Sequence, residues 1–480
     1  METWVSTEKL RTVSSVSSLA MSQRSLKPGE VYSKATGLGW FVTGLFVVGD
    51  LAGGGIVSLP TAVVQSGLVI GTILMLVMTA IVTFTSYVLG RSWSILVERW
   101  PEYRHHTRKP YAEIGFRSNG RWMRILVSIV TNITQFMISV VYIELSSKNI
   151  QDLIKAFWSV DFSFCLVILC LAVFLLPVMF LKSPNDFWWA VVIAMFTTSA
   201  AVVLIIVGAA MDYGTCAAVK QDPVPVATNY FLALGTFLFA YGGHTAFPTI
   251  QHDMRVPSDF TKSTFVAFSI MAAMYLPTGI MGYITYGDSL RSSVINSIQI
   301  FPIQQEIEEL FRVPQRFCWQ RAIVRTSILV LAVFVAESVP SFGPLLNLVG
   351  GSTLTLSSIV FPCFFYLFIE ARKQKMIKFG QDDGPASVND VLTYNPWWMI
   401  TICCIVMVCG IFGGAAATFS AVKELTSTHF VSPCYVTAFQ SHNATAGKDV
   451  GATNCCGAWQ NITTRAGITC TEPELSFYLG

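Results

Sequence analysis

Apolar residues in this chain come in long blocks rather than in alternation. Windows of roughly 18 to 25 residues, long enough to cross about 30 Å of hydrocarbon as a helix, recur near 40–64, 67–90, 123–147, 163–181, 187–211, 227–250, 262–286, 322–340, 345–370 and 397–420. Short polar stretches separate them. The pattern predicts an all-α polytopic membrane protein, organised as a cytoplasmic polar tail over 1–39, a transmembrane domain over 40–420 and a C-terminal tail over 421–480. Residues 1–39 are polar and Ser-rich with no short apolar core, so they do not read as a cleavable signal, and the first span is expected to act as its own anchor.

Composition sharpens the class. The chain is 53% hydrophobic and only 12% charged, and no loop offers a paired nucleophile and base or a metal-ligand cluster, so it is not expected to be an enzyme. A net charge of +3 gives nucleic acid no footing. Of the 12 cysteines, those in or beside the spans read as small hydrophobes packed between helices.

Lys and Arg in short loops set orientation. Arg91 to Arg124 holds eight of them against three acids, so this loop and the N-terminus are expected in the cytoplasm. The clusters Arg312, Arg316, Arg321, Arg325 and Arg372, Lys373, Lys375, Lys378 make the same demand. Seven spans from an internal N-terminus leave Gly287 outside, yet the linker 287–310 has no apolar run able to cross. One helix is missing after residue 286. The tail carries the sequons Asn443-Ala-Thr445 and Asn461-Ile-Thr463 together with Cys434, Cys455, Cys456 and Cys470, which suit glycosylation and an oxidising outer face. With ten spans it would end inside, so the expectation for the isolated chain is that the last three spans invert against their loop charges.

Two stretches break the helical pattern. GDLAGGGIVSLP, Gly49 to Pro60, places three consecutive glycines and a proline inside the first span, and FAYGGHTAFP, Phe239 to Pro248, places paired glycines and a proline inside another five spans later. Non-helical backbone at membrane depth survives only where it is buried in protein or lines a polar cavity. Freed amides near Gly53 to Ile56 can hold a carboxylate, and freed carbonyls an ammonium or a cation. Paired interrupted helices at corresponding positions of two halves point to a transporter site. Asp50, one turn before the first break, is the sharpest candidate for carrying a coupling charge. His244 could titrate at the second break, or sit neutral and bond freed carbonyls. Glu337 and Glu144 lie near span ends and are expected to be structural, and Tyr142 and Tyr241 read more readily as packing than as pocket walls.

GGGIVSLP, FAYGGHTAFPTIQHDMRVPSDF and LNLVGGSTLTLSSIVFP together resemble the amino acid/auxin permease family over roughly residues 35–420. The resemblance implies a five-plus-five inverted repeat like that of bacterial leucine transporters, usually with an eleventh helix, and substrate bound between the unwound middles of helices one and six. Its implied substrate contacts are Gly53, Gly54, Gly55 and Ile56 with Phe239, Tyr241, Gly242 and Gly243. Asp50 and His244 are the candidates for coupling to H+ or Na+, with no other cofactor. The function it implies is secondary transport of small neutral amino acids across the plasma membrane or a vesicular or lysosomal one. Where family members have a further helix after residue 286, this chain has only the linker, which leaves a nutrient sensor or a shortened inactive form as alternatives.

Overall fold

A helix interrupted inside a bilayer needs protein around the interruption, and the fold is organised around two such helices. A computed structural model describes residues 32–105, 107, 109–158, 163–179, 188–217, 227–287, 290, 319–339, 342–382, 384–427 and 434. The first span is split into α1 (Trp40–Leu51) and α2 (Gly54–Ser66), bent by 62° at the break. Then follow α3 (Leu68–Arg99), α4 (Pro110–Asn119), α5 (Arg121–Trp158), α6 (Phe164–Met179) and α7 (Trp188–Cys216). The second interrupted span consists of α8 (Ala227–Ala240) and α9 (Phe247–His252), and α10 (Phe260–Tyr286) follows. After the linker come α11 (Trp319–Ser338) and α12 (Phe342–Val349), which runs through two π-helical stretches, Gly350–Leu354 and Leu356–Val360, into α13 (Phe361–Phe379). A short α14 (Val388–Tyr394) precedes α15 (Trp397–Ser427).

Among the described residues, six helices are long and apolar enough to cross a membrane, or seven if the bent α1–α2 pair counts as one span. Three shorter apolar helices, Phe164–Leu176, Ala227–Ala240 and Thr326–Ser338, lie at other positions where the hydropathy predicts spans. Helix faces follow the bilayer logic. On α3, Val69, Ile70, Ile73, Leu76 and Val77 are exposed while Met75, Met78 and Val82 are buried, which is tolerable only where the outer solvent is lipid. The interior is built from α2 against α8, with α10 packed along α1, α2, α3 and α7.

One end of the bundle is held by the basic loops. Arg372 donates from Nε and Nη2 to the two oxygens of Asp382, both at 2.8 Å, and from Nη1 to the Arg117 carbonyl at 2.6 Å. Trp100 Nε1 also donates to Asp382 at 3.2 Å, and the Arg117 and Arg372 guanidinium groups lie over the Trp100 ring. Burial acts to raise the Asp382 pKa, but its hydrogen bonds and charge pairing with Arg372 outweigh that and hold the carboxyl below its ordinary range. The end of α13 therefore lies on the same face as residues 100–117.

At the opposite end, the Tyr286 hydroxyl of α10 donates to Asp212 of α7 at 2.5 Å. Here Cys165, at the start of α6, forms a disulfide with Cys434 across a Cα–Cα distance of 5.5 Å. This corrects two expectations. Cys165 is not a packed hydrophobe, because its sulfur is bonded to the chain that follows α15. The last spans do not invert either: Arg372 sits with the basic loop of residues 100–117, and α15 leads away from that face to Cys434 beside the start of α6. Most of the linker 287–310, and with it the expected missing helix, lies outside the described residues.

Candidate functional site

The first break comprises Ala52 and Gly53, with Gly53 at φ −134° and ψ −138°. The expectation of a non-helical stretch from Gly53 to Ile56 is corrected, since Gly54, Gly55 and Ile56 already form the first turn of α2. The glycines serve close packing against two other helices. A Cβ on Gly54 would lie 2.8 Å from Leu145 Cδ2 and 2.9 Å from Tyr142 Cε1, and one on Gly53 would collide with the Tyr142 hydroxyl. On Gly55 it would stand 2.5 Å from Ala240 Cα, the last residue of α8. The freed Gly54 amide donates to Tyr142 Oη at 3.3 Å. Tyr142 therefore belongs to the break, where its apolar surroundings alone suggested packing.

The second break runs from Tyr241 to Ala246. Side chains hold it. Tyr241 is buried and its hydroxyl accepts from Thr79 Oγ1 at 2.9 Å. His244, fully buried, has Nε2 at 2.9 Å from both Thr85 Oγ1 and Ser86 Oγ. Each of those hydroxyls also reaches the Val82 carbonyl, at 3.1 and 2.7 Å. Because a hydroxyl has one proton to give, a pair that donates to Val82 leaves Nε2 as the imidazole's donor and Nδ1 as an acceptor, and Nδ1 has no hydrogen-bond partner. His244 thus bonds hydroxyls of α3 rather than freed carbonyls. Gln135 Nε2 of α5 closes the break by donating to Thr245 Oγ1 at 2.9 Å.

The two breaks touch. Besides the Gly55–Ala240 contact, a Cβ on Gly243 would lie 2.5 Å from Leu51 Cδ2 and 3.0 Å from Asp50 Oδ2. Asp50 shares its helix face with the buried Thr43 and Val47, so it points inward, yet it keeps accessible surface beside the second break. The Tyr275 hydroxyl of α10 bridges the carbonyl ends of both half-helices, 3.2 Å from Leu51 O and 2.9 Å from Ala240 O. Amide donors at the start of α2 thus stand beside carbonyls that end α1 and α8. Helix dipoles add positive character to the former and negative character to the latter. Such an arrangement complements a carboxylate and an ammonium held a few atoms apart.

The structure brings Asp50, Leu51 and Gly55 against Ala240 and Gly243, and Gly53 and Gly54 against Tyr142. Tyr241 and His244 are held by α3, Gly242 lies against Leu354, Ile56 is in the main core, and Phe239 packs in a separate cluster with Val140, Leu346 and Leu354. The structure adds Thr79, Thr85, Ser86 and Tyr275, which carry no motif. Glu144 lies two residues from Tyr142 on another face of α5, buried, with neither oxygen hydrogen-bonded. Glu337 is partly buried near the end of α11. Neither bonds to the breaks. Asn443 and Asn461 lie outside the described residues, and no cluster of three metal-binding side chains occurs among those described.

The fold is a helical membrane bundle in which two interrupted spans meet. The family described as transmembrane amino acid transporter protein matches this chain over residues 36–307 and 296–381, and the chain belongs to it. The members of this family are transporters and not enzymes. The chain is similar to several proteins of Arabidopsis thaliana. Amino acid transporter AVT1D is 25% identical over 412 residues, 78% of this chain and 68% of that protein. Amino acid transporter AVT1H is 24% identical over 67% of this chain and 80% of its own length. Lysine histidine transporter-like 1 is 26% identical over 179 residues, 30% of this chain and 40% of its own.

Proposed function

We propose that this chain is a secondary active transporter that moves small neutral amino acids or related zwitterions, coupled to protons or sodium. The observation that carries the reading is the contact between the breaks, where the Gly54 amide and the Leu51 and Ala240 carbonyls offer opposite partial charges within one buried centre. An amino acid's two charged groups match that polarity without any demand on its side chain. Small substrates follow from the tightness of the site, in which Gly53, Gly54, Gly55, Gly242 and Gly243 leave little room for a Cβ.

The breaks fall five expected spans apart, which supports two five-span halves of a ten-span inverted repeat. Asp50 carries the coupling charge in this reading, being the carboxylate that faces inward beside both breaks. The basic loops support a cytoplasmic position for the N-terminus and residues 91–124. A non-cytosolic C-terminal tail, with Asn443 and Asn461 open to glycosylation, is supported by the Cys165–Cys434 disulfide, a bond that persists in oxidising compartments. The membrane in this reading is the plasma membrane or a vesicular or lysosomal one.

Radiolabelled amino acid uptake by cells expressing the chain, beside its Asp50→Asn variant, tests this. The expected result is saturable uptake by the parent and loss of its ion dependence in the variant, with exchange of bound substrate preserved. Uptake with unaltered pH and cation dependence in Asp50→Asn would assign Asp50 to packing. Saturable binding without flux would make the chain a sensor.

A further inference from the structure

We infer that Tyr275 is the positioning residue that ties the two broken helices together, an inference that rests on the breaks forming the amino acid site. Tyr275 belongs to α10, outside both interrupted spans, and is fully buried. Its single hydroxyl proton is aimed at two carbonyls, the last of α1 and the last of α8. Leu51 O already accepts from Gly53 N at 2.9 Å, whereas no amide of the second break is bonded to Ala240 O. The proton goes to Ala240 O at 2.9 Å, and the longer contact to Leu51 O completes the bridge. A peptide carbonyl left bare at this depth would be costly. The phenol therefore satisfies an acceptor that the break itself creates.

Three contacts fix its position. The Tyr241 ring packs edge-on against it with centroids 5.1 Å apart, and Tyr241 is itself tied to Thr79. Further along α10, a Cβ on Gly279 would stand 3.1 Å from Val63 Cγ2 of α2, and one on Gly282 would collide with Pro60. Glycine thus lets α10 lie directly on α2 and carries the phenol to the junction. With the hydroxyl in place, the carbonyl ends of α1 and α8 form one rigid edge of the site, the edge that faces the substrate's ammonium. Tyr275 does not touch substrate in this account; it sets the spacing of the groups that do.

Tyr275→Phe removes one oxygen and keeps the ring. Uptake by the full chain, normalised to the amount at the membrane, should show KM raised about two- to tenfold, the ratio that one net hydrogen bond represents, with maximal rate changed less than about twofold. In parallel, the rate at which a small thiol reagent labels Ala52→Cys should rise in the Tyr275→Phe background, because the pinned break opens. Unchanged KM with unchanged labelling would overturn the proposal. So would a Tyr275→Phe protein that fails to reach the membrane while the same protein carrying 3-fluorotyrosine at 275, with its hydroxyl intact, fails equally. Faster labelling in a chain whose parent transports nothing would uphold the strut and overturn the transport reading, so the two can fail separately.

Discussion

The two breaks solve one problem by opposite means. The first is two residues long and is held by the absence of side chains: Gly53, Gly54 and Gly55 allow Tyr142, Leu145 and Ala240 to approach the backbone. The second is six residues long and is held by the presence of side chains, with Tyr241 tied to Thr79, His244 to Thr85 and Ser86, and Thr245 to Gln135. A backbone freed inside a membrane can therefore be supported by close steric fit or by a polar network. The means predicts the response to mutation. Steric fit fails all at once, because nothing can relax when an added atom meets backbone, whereas a network loses one bond at a time.

The largest effect is expected at the steric break. Gly55→Val places atoms against Ala240 Cα, where even a Cβ would stand at 2.5 Å, and should abolish uptake while leaving insertion intact, as measured by transport normalised to surface labelling. Gly54→Val meets only the side chains of Leu145 and Tyr142, which can shift, so its uptake should fall less far, and unimpaired substrate binding by Gly55→Val would break the comparison. At the second break, His244→Ala removes the imidazole from two hydroxyls and leaves a cavity. Loss of about 1 to 3 kcal/mol of stability is expected, the cost of a buried hydrogen-bonding group removed from its partners, read as a lower unfolding midpoint in detergent with measurable transport remaining. Tyr142→Phe sharpens the contrast further, since it keeps the ring that packs on Gly54 and removes only the oxygen at 3.3 Å from its amide. KM should rise by a few fold, about the ratio set by one net hydrogen bond.

The smallest effect belongs to the basic face, away from both breaks. Asp382 has its carboxyl held below the ordinary range, so the stabilisation it supplies is complete above the unfolded carboxylate pKa and is lost as pH falls through the lowered folded value. Solvent screening limits it to about 0.5 to 1 kcal/mol. Asp382→Asn should remove the acid-side decline attributable to this clasp in a pH series of unfolding midpoints, without altering KM.

Much of this was open to reading in the residues and some was not. Blocks of apolar residues locate the helices because lipid demands unbroken runs, and glycine clusters locate the breaks because few other residues permit such approach. The first break nevertheless ends before the second glycine of the triplet: glycine is tolerated in the first turn of a helix, and only the contact with Tyr142 and Ala240 decides where the helix resumes. Tyr275 carried no signal, since a tyrosine in an apolar span looks the same whether it packs, anchors at an interface or bridges carbonyls. His244 was visible, but its partners Thr85 and Ser86 lie on another helix, at a spacing no local pattern encodes. The Cys165–Cys434 bond spans 269 residues, and pairing at such range is not deducible from cysteine positions alone.

The most direct test of the account is flux across a sealed membrane. The purified chain in proteoliposomes, given a radiolabelled small neutral amino acid and an imposed proton or sodium gradient, should accumulate the solute saturably and above its outside concentration, and the Gly55→Val protein in matched vesicles should not. Accumulation that is equal in the two would contradict the claim that the apposed breaks are the transport site, and binding by the parent chain with no accumulation under either gradient would contradict transport itself.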